Sequence, residues 1–249
     1  MKEYLKKNLC FIILLAVFGL VGGYFTSLYS LESLAPEMIE EAVAQLGSTD
    51  MLILVSTLQS LSYALVLGLV GKALAEKIGL WRSPRLEAGP VSSAVVVSLI
   101  VGVAIILPDL LFFNNFSDIL RESYLTKPTL NYIIASLTYG GVIEEVMLRL
   151  FFMSLIAFII MKLSKRSEPT DAQIIVANFI AAVLFAAGHL PATITTLGIS
   201  GMLIFRCFLL NGTAGLFFGR LYRKYGLLYS CLAHAGAHIV SKIIWLLFI

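Results

Sequence analysis

Long apolar runs alternate with short polar intervals along the chain, and the runs have the length of a bilayer crossing. Seven can be marked, at about 9–27, 51–75, 90–113, 130–163, 172–190, 197–220 and 227–249. About 20 apolar residues in a helix cross a hydrocarbon core of roughly 30 Å. The pattern predicts an all-α, polytopic transmembrane bundle of about seven helices. No low-complexity linker or solenoid repeat interrupts it, so residues 1–249 read as one integral membrane domain. Between the first two runs, Leu34, Met38, Ile39, Ala42, Val43 and Leu46 recur at helical spacing among Glu32, Glu37, Glu40 and Glu41. That interval predicts a short amphipathic helix in the membrane interface. The fourth run would be roughly 50 Å long as one straight helix. Gly140-Gly141 inside it predicts a break or a strong tilt.

Composition agrees with this pattern and charge adds a topology. Apolar residues make up 59% of the 249 and charged residues 13%, with a mean hydropathy of +0.93. A soluble domain carries about twice that charged fraction. The net charge of +3 comes from basic residues at segment ends, which is a topology signature and implies no nucleic-acid partner. Lys2, Lys6 and Lys7 precede the first run. Lys72, Lys77, Arg82 and Arg85, then Lys162, Lys165 and Arg166, then Arg220, Arg223 and Lys224 mark alternate loops. The loops between hold only Arg121 and Lys127, which places the N-terminus in the cytoplasm. The first run is longer than a signal-peptide core, so a retained helix is expected there. Cys10, Cys207 and Cys231 are widely spaced and read as small packing residues.

Chemistry concentrates in three places. The fourth run carries Glu144, Glu145 and Arg149, each costing roughly 2.5–3.5 kcal/mol at a bilayer centre. Glu145 and Arg149 stand at i,i+4 with the acid first, the favourable order for an ion pair. Glu144, rotated by about 100°, is left free. The fifth run ends with Phe185 and His189, and the last begins with His234 and His238 on one helix face. One free carboxylate and three imidazoles suit hydrolysis in two ways. Glu144 and His189 activate water while His234 and His238 donate to the oxyanion. Alternatively His189, His234 and His238 bind zinc and Glu144 is the base. Ala235 after His234 removes the HExxH pattern of soluble zinc proteases. Gly215 and Gly219 read as helix packing, Phe185 as a cavity wall and Lys242 as a snorkelling side chain. Arg206 has no assigned role.

Glu144-Glu145-xxx-Arg149, Phe185-xxx-His189 and His234-xxx-His238, in that order, resemble the three motifs of the CPBP family. This family holds the CAAX-processing endopeptidases and their bacteriocin-processing and bacteriocin-immunity relatives. The stretch Gly215–Tyr229 is similar to the segment before the family's last motif, and the resemblance covers about residues 130–240, the catalytic core. It implies a glutamate-dependent intramembrane endopeptidase without a cofactor. Glu144 and His189 would be the water-activating pair, His234 and residue 238 the oxyanion donors, and Glu145, Arg149 and Phe185 their support. The family usually has Asn at the last position, where this chain has His238, which keeps a zinc alternative open. The resemblance also implies a membrane-associated or lipidated protein or peptide as substrate, a polar cavity among the fourth to seventh helices, and a bacterial plasma membrane. Two other readings stay open: a non-catalytic immunity or partner-binding protein, and a transporter, although no inverted repeat is evident. On straight helices Glu144 and His189 would lie roughly 26–29 Å from the cytoplasmic ends of their segments but His234 only about 11 Å from its own. Joint action requires that this offset be removed.

Overall fold

The computed structural model describes residues 8–248, and among them there are helices and no strands. In chain order the elements are α1 (Leu9–Ser33), α2 (Pro36–Leu46), α3 (Thr49–Lys77), α4 (Ala88–Leu111), α5 (Asp118–Ser123) and α6 (Leu130–Leu163). They continue with α7 (Asp171–Gly188), α8 (Leu190–Leu197), α9 (Gly201–Tyr225) and α10 (Leu227–Phe248). Taking α7 and α8 together, seven segments are long and apolar enough to cross a membrane. The chain is a multi-pass, all-α membrane protein. α2 is the expected amphipathic helix, started by Pro36, ended by Gly47 in the left-handed region (φ 96°) and without a buried residue. Lys2, Lys6 and Lys7 lie outside the described residues.

α10 is central, packed between α4 and α6, and small residues allow this. Gly141 of α6 faces Ala235 so closely that an added Cβ would lie 2.7 Å from the alanine Cβ. On the other side Gly236 lies against Ser98 of α4 and Gly102 against Val240. Gly215 and Gly219 of α9 pack on Ala182 and Asn178 of α7, in keeping with a packing role.

Two expectations are corrected. Gly140-Gly141 does not break α6: residues Ser136–Glu144 and Val146–Met153 wind as π-helix and the rod runs on unbroken. An i→i+5 turn keeps each backbone group bonded inside the bilayer, where a break would expose it to lipid. The sixth span also ends later than residue 220. The basic run Arg220–Tyr225 is helical, and the turn is Gly226 alone (φ 99°).

The offset in depth is removed by a recessed turn. The hydroxyls of Ser154 and Tyr222 are 2.8 Å apart, so the α9–α10 turn lies near the level of Ser154. That is nine residues short of the end of α6, or about 13 Å. The segment 79–87 lies over the recess. Tyr229 Oη donates to the Arg85 carbonyl at 2.5 Å and accepts from the Glu87 amide at 3.0 Å, while Gly226 abuts Arg82. Arg223 pairs with Asp171 beside it. The alternately placed basic loops thus gather at one end of the bundle, as their spacing predicts.

Candidate active site

The π-helical part of α6 presents Glu144 and Glu145 side by side. A wider turn holds more than 3.6 residues, so neighbouring side chains diverge by less than the 100° of an α-helix. Both carboxylates accordingly face His234. Glu145 is fully buried and its oxygens are fully engaged. Oε1 pairs with Arg149 Nη1 at 3.0 Å and accepts from His234 Nδ1 at 2.9 Å. Oε2 accepts from Ser230 Oγ, which also lies 3.1 Å from the Phe218 carbonyl. Glu144 is one-fifth exposed, and its Oε2 stands 3.9 Å from His234 Nε2.

Arg149, 1% exposed, is held on every side. Nη2 donates to the Gly215 carbonyl at 3.1 Å, and the guanidinium lies 4.5 Å from the Phe185 ring centre and 5.5 Å from that of Phe218. The ion pair with Glu145 and the cation–π contacts offset the cost of burying it. The missing Cβ of Gly215 leaves room for it.

The histidines differ in what they leave free. His234 stacks on Phe218 at 4.4 Å and on His238 at 5.0 Å, with Phe185 edge-on at 5.6 Å. Its Nδ1–H faces Glu145, so Nε2 is the nitrogen turned to Glu144. His189 occupies the junction of α7 and α8, and its Nδ1 donates to the Phe185 carbonyl at 2.8 Å, one of the orphan acceptors at the helix end. Its Nε2 is therefore free, and its ring meets Phe185 edge-on at 4.7 Å. His238 uses the space of a missing side chain, since a Cβ on Gly140 would lie 3.0 Å from its Nε2. Phe185, 3% exposed, touches His189, His234 and Arg149 and is the common wall.

The zinc alternative finds no ligand set. No group of three or more His, Cys, Asp or Glu among the described residues is disposed to hold a metal ion. Near-parallel rings of His234 and His238, 24° apart, do not aim two nitrogens at one point. A cleft of about 170 Å³ lined by Ser27, Ser60, Gln59, Tyr63 and Tyr139 is walled by α1, α3 and α6. Between α6, α7 and α10 the space is filled by Arg149, Phe185 and Phe218.

Two features escaped sequence reasoning. Ser230 stands four residues before His234 on the same face of α10, a spacing that would have marked it. The second is an ion pair joining α4 and α9. Arg206 donates from Nε and Nη2 to Asp109 Oδ1 and Oδ2 at 2.6 and 2.5 Å, and Tyr124 Oη donates to Oδ2 at 2.7 Å. Burial and the Asp109 carboxylate push the Tyr124 phenol well above its usual range, which keeps it a donor. One intramembrane acid and one intramembrane base on separate helices were the available signal. The three cysteines form no disulfide, as expected; Cys207 is buried and Cys231 half-buried, whereas Cys10 is exposed and is not a packing residue within the bundle.

The scan of known families matches residues 126–240, the segment that carries Glu144, Glu145, Arg149, Phe185, His189, His234 and His238, to the type II CAAX prenyl endopeptidase Rce1-like model. No curated protein and no solved structure matches the chain. Over residues 126–240 the chain is thus similar to the Rce1-like type II CAAX prenyl endopeptidases.

Proposed function

We propose that the protein is a glutamate-dependent intramembrane endopeptidase that hydrolyses a peptide bond of a membrane-associated or lipidated protein, in a bacterial plasma membrane and without a metal. The observation that carries this reading is the division of labour between adjacent carboxylates. Glu145 is saturated by Arg149, His234 and Ser230, whereas Glu144 is partly exposed and stands 3.9 Å from His234 Nε2. That gap is too long for a direct hydrogen bond, which leaves Glu144 able to accept from a water while His234 Nε2 serves another partner.

In this reading Glu144 removes a proton from water as the oxygen adds to the scissile carbonyl, with His189 Nε2 as second acceptor. The carbonyl oxygen becomes an oxyanion that receives hydrogen bonds from His234 and His238. For His234 the donor is Nε2–H of the imidazolium, which the Glu145 carboxylate stabilises from the far side. The proton held by Glu144 then passes to the amide nitrogen as the C–N bond breaks, giving a free amine and a carboxylic acid, whose proton His189 Nε2 accepts to leave the carboxylate. Retention of this free carboxylate favours an enzyme over an immunity or partner-binding protein. Glu144→Gln in lipid vesicles should reduce cleavage of a farnesylated CAAX peptide by at least about a hundredfold. Thermal unfolding should stay unchanged, and wild-type cleavage should resist chelators. Full activity of Glu144→Gln would overturn the mechanism, and chelator-sensitive cleavage would overturn its metal independence.

A further inference from the structure

The basic end of the bundle holds a cleft of about 420 Å³ beside the recessed α9–α10 turn. Its walls come from the segment 79–87, the start of α4, the end of α9 and the start of α10. Arg82 and Arg85 line it from the segment and Lys224 from the last turn of α9. Trp81, Tyr225 and Tyr229 supply aromatic surface, and Glu87 is the one acid among the lining residues. None of the three cations forms an ion pair with an acid among the described residues. Arg223, next to Lys224, is already matched by Asp171, while the Lys224 ammonium lies 4.9 Å from the centre of the Tyr225 ring. The cleft is therefore net positive and short of anions.

Its chemistry and its depth point to one kind of ligand. Guanidinium forks take phosphate oxygens in pairs, and an ammonium adds a point charge. Ser83 brings a hydroxyl to the same wall. The cleft lies where α3 and α9 end and α4 and α10 begin, which is headgroup depth for a bilayer spanned by these helices. Trp and Tyr are favoured at that depth, and basic pockets there receive anionic headgroups. Leu86, between Arg85 and Glu87, is 76% exposed and is the side chain that lipid tails would cover. A soluble phosphate would leave it bare.

We propose that this cleft binds the phosphate of an anionic phospholipid through Arg82, Arg85 and Lys224, and that the bound headgroup fixes the segment 79–87 over the α9–α10 turn. The chain itself ties this segment to α10 through the Tyr229 hydroxyl. Tyr229 directly precedes Ser230, which bonds Glu145, and stands five residues before His234. A phosphate shared by Arg82, Arg85 and Lys224 adds a second tie between the same parts and so steadies the depth of His234. Binding stands on the cleft alone; its effect on turnover rests on the endopeptidase reading above.

Trp81 reports on the cleft directly. The only other tryptophan, Trp245, lies at the opposite end of α10, where its indole donates to the Tyr124 carbonyl at 2.9 Å. The full chain carrying Trp245→Phe is placed in phosphatidylcholine vesicles and titrated with phosphatidylglycerol or phosphatidylcholine, each spin-labelled high on one tail. Labelled phosphatidylglycerol is expected to quench Trp81 at least about fivefold more effectively than the labelled neutral lipid. Arg82→Gln with Arg85→Gln should bring that ratio close to one. Lys162→Gln with Arg166→Gln, which removes equal charge at the same end, should leave it unchanged. Cleavage of the farnesylated peptide by the native chain should rise at least about threefold when phosphatidylglycerol joins the neutral vesicles. The Arg82 and Arg85 double variant should lose that rise and keep the rate seen in neutral vesicles. Equal quenching by the two lipids, or an equal loss in both charge variants, would overturn the proposal. Displacement of phosphatidylglycerol from Trp81 by millimolar inorganic phosphate would overturn the lipid assignment in favour of a soluble phosphate. A lipid preference at Trp81 with no rise in cleavage would overturn the link to His234. No cleavage in any vesicle, with the preference intact, would overturn the endopeptidase reading and leave the lipid site standing.

Discussion

Two acid–base centres are buried in this bundle, and they are built on the same principle with opposite outcomes. At Asp109, both oxygens meet Arg206 and one also meets Tyr124, so the acid and its counter-ion satisfy one another. At Glu145, Arg149 and Ser230 do the same work, but a third partner, His234, has its second nitrogen turned to another carboxylate. The first centre is closed. The second ends in an unused nitrogen beside an unsaturated acid. Charge inside a membrane span is therefore a poor guide to chemistry by itself; the informative quantity is hydrogen-bonding capacity left over after the charges are balanced.

The contrast can be broken most severely by stranding one charge. Arg149→Met leaves Glu145 buried without its cation and should cost about 3–5 kcal/mol and abolish cleavage. Asp109→Leu strands Arg206, which is 16% exposed, and should fall near or below the lower end of that range. Thermal unfolding in detergent measures both. Removing whole pairs sharpens the difference. Asp109→Leu with Arg206→Met should restore stability to within about 1–2 kcal/mol of wild type and keep cleavage within a few-fold. Glu145→Leu with Arg149→Met should recover stability similarly yet leave cleavage down at least about a hundredfold, because His234 loses the carboxylate that orients its ring. Equal activity of the two double variants would remove the distinction drawn here. The mildest expected change is His238→Asn, which keeps one hydrogen-bond donor near the oxyanion position. It should lower kcat less than tenfold, measured with the same farnesylated peptide.

Much of this arrangement was legible in the sequence. Hydropathy located all seven spans because each is a local property of about 20 residues. The Glu145–Arg149 pair followed from i,i+4 spacing alone. What spacing could not supply was relative depth. His234 reaches Glu144 only because the Gly226 turn is recessed beneath the segment 79–87, an arrangement fixed by Ser154–Tyr222 and by Tyr229 with Arg85. Those contacts join residues 68 and 144 positions apart in the chain. The π winding of α6 was equally hidden, since Gly140-Gly141 suits a break, a tilt or a close crossing alike. The Asp109–Arg206 pair went unread because its partners are 97 residues apart, although their charges matched.

The i,i+4 pairing of Glu145 with Arg149 also bears on how the protein is made. Helices that enter the bilayer one after another must each bring their own charges to terms with lipid. α6 arrives with acid and counter-ion on one face, so it can be released from the translocation machinery as a near-neutral rod. Asp109 has no such companion, but it stands two residues from the end of α4 and can wait at the water boundary until Arg206 arrives on α9. His234 and His238 follow later still, on α10. A nascent chain therefore carries α6 with Glu145 and Arg149 already paired before α10 brings His234 to the same carboxylate.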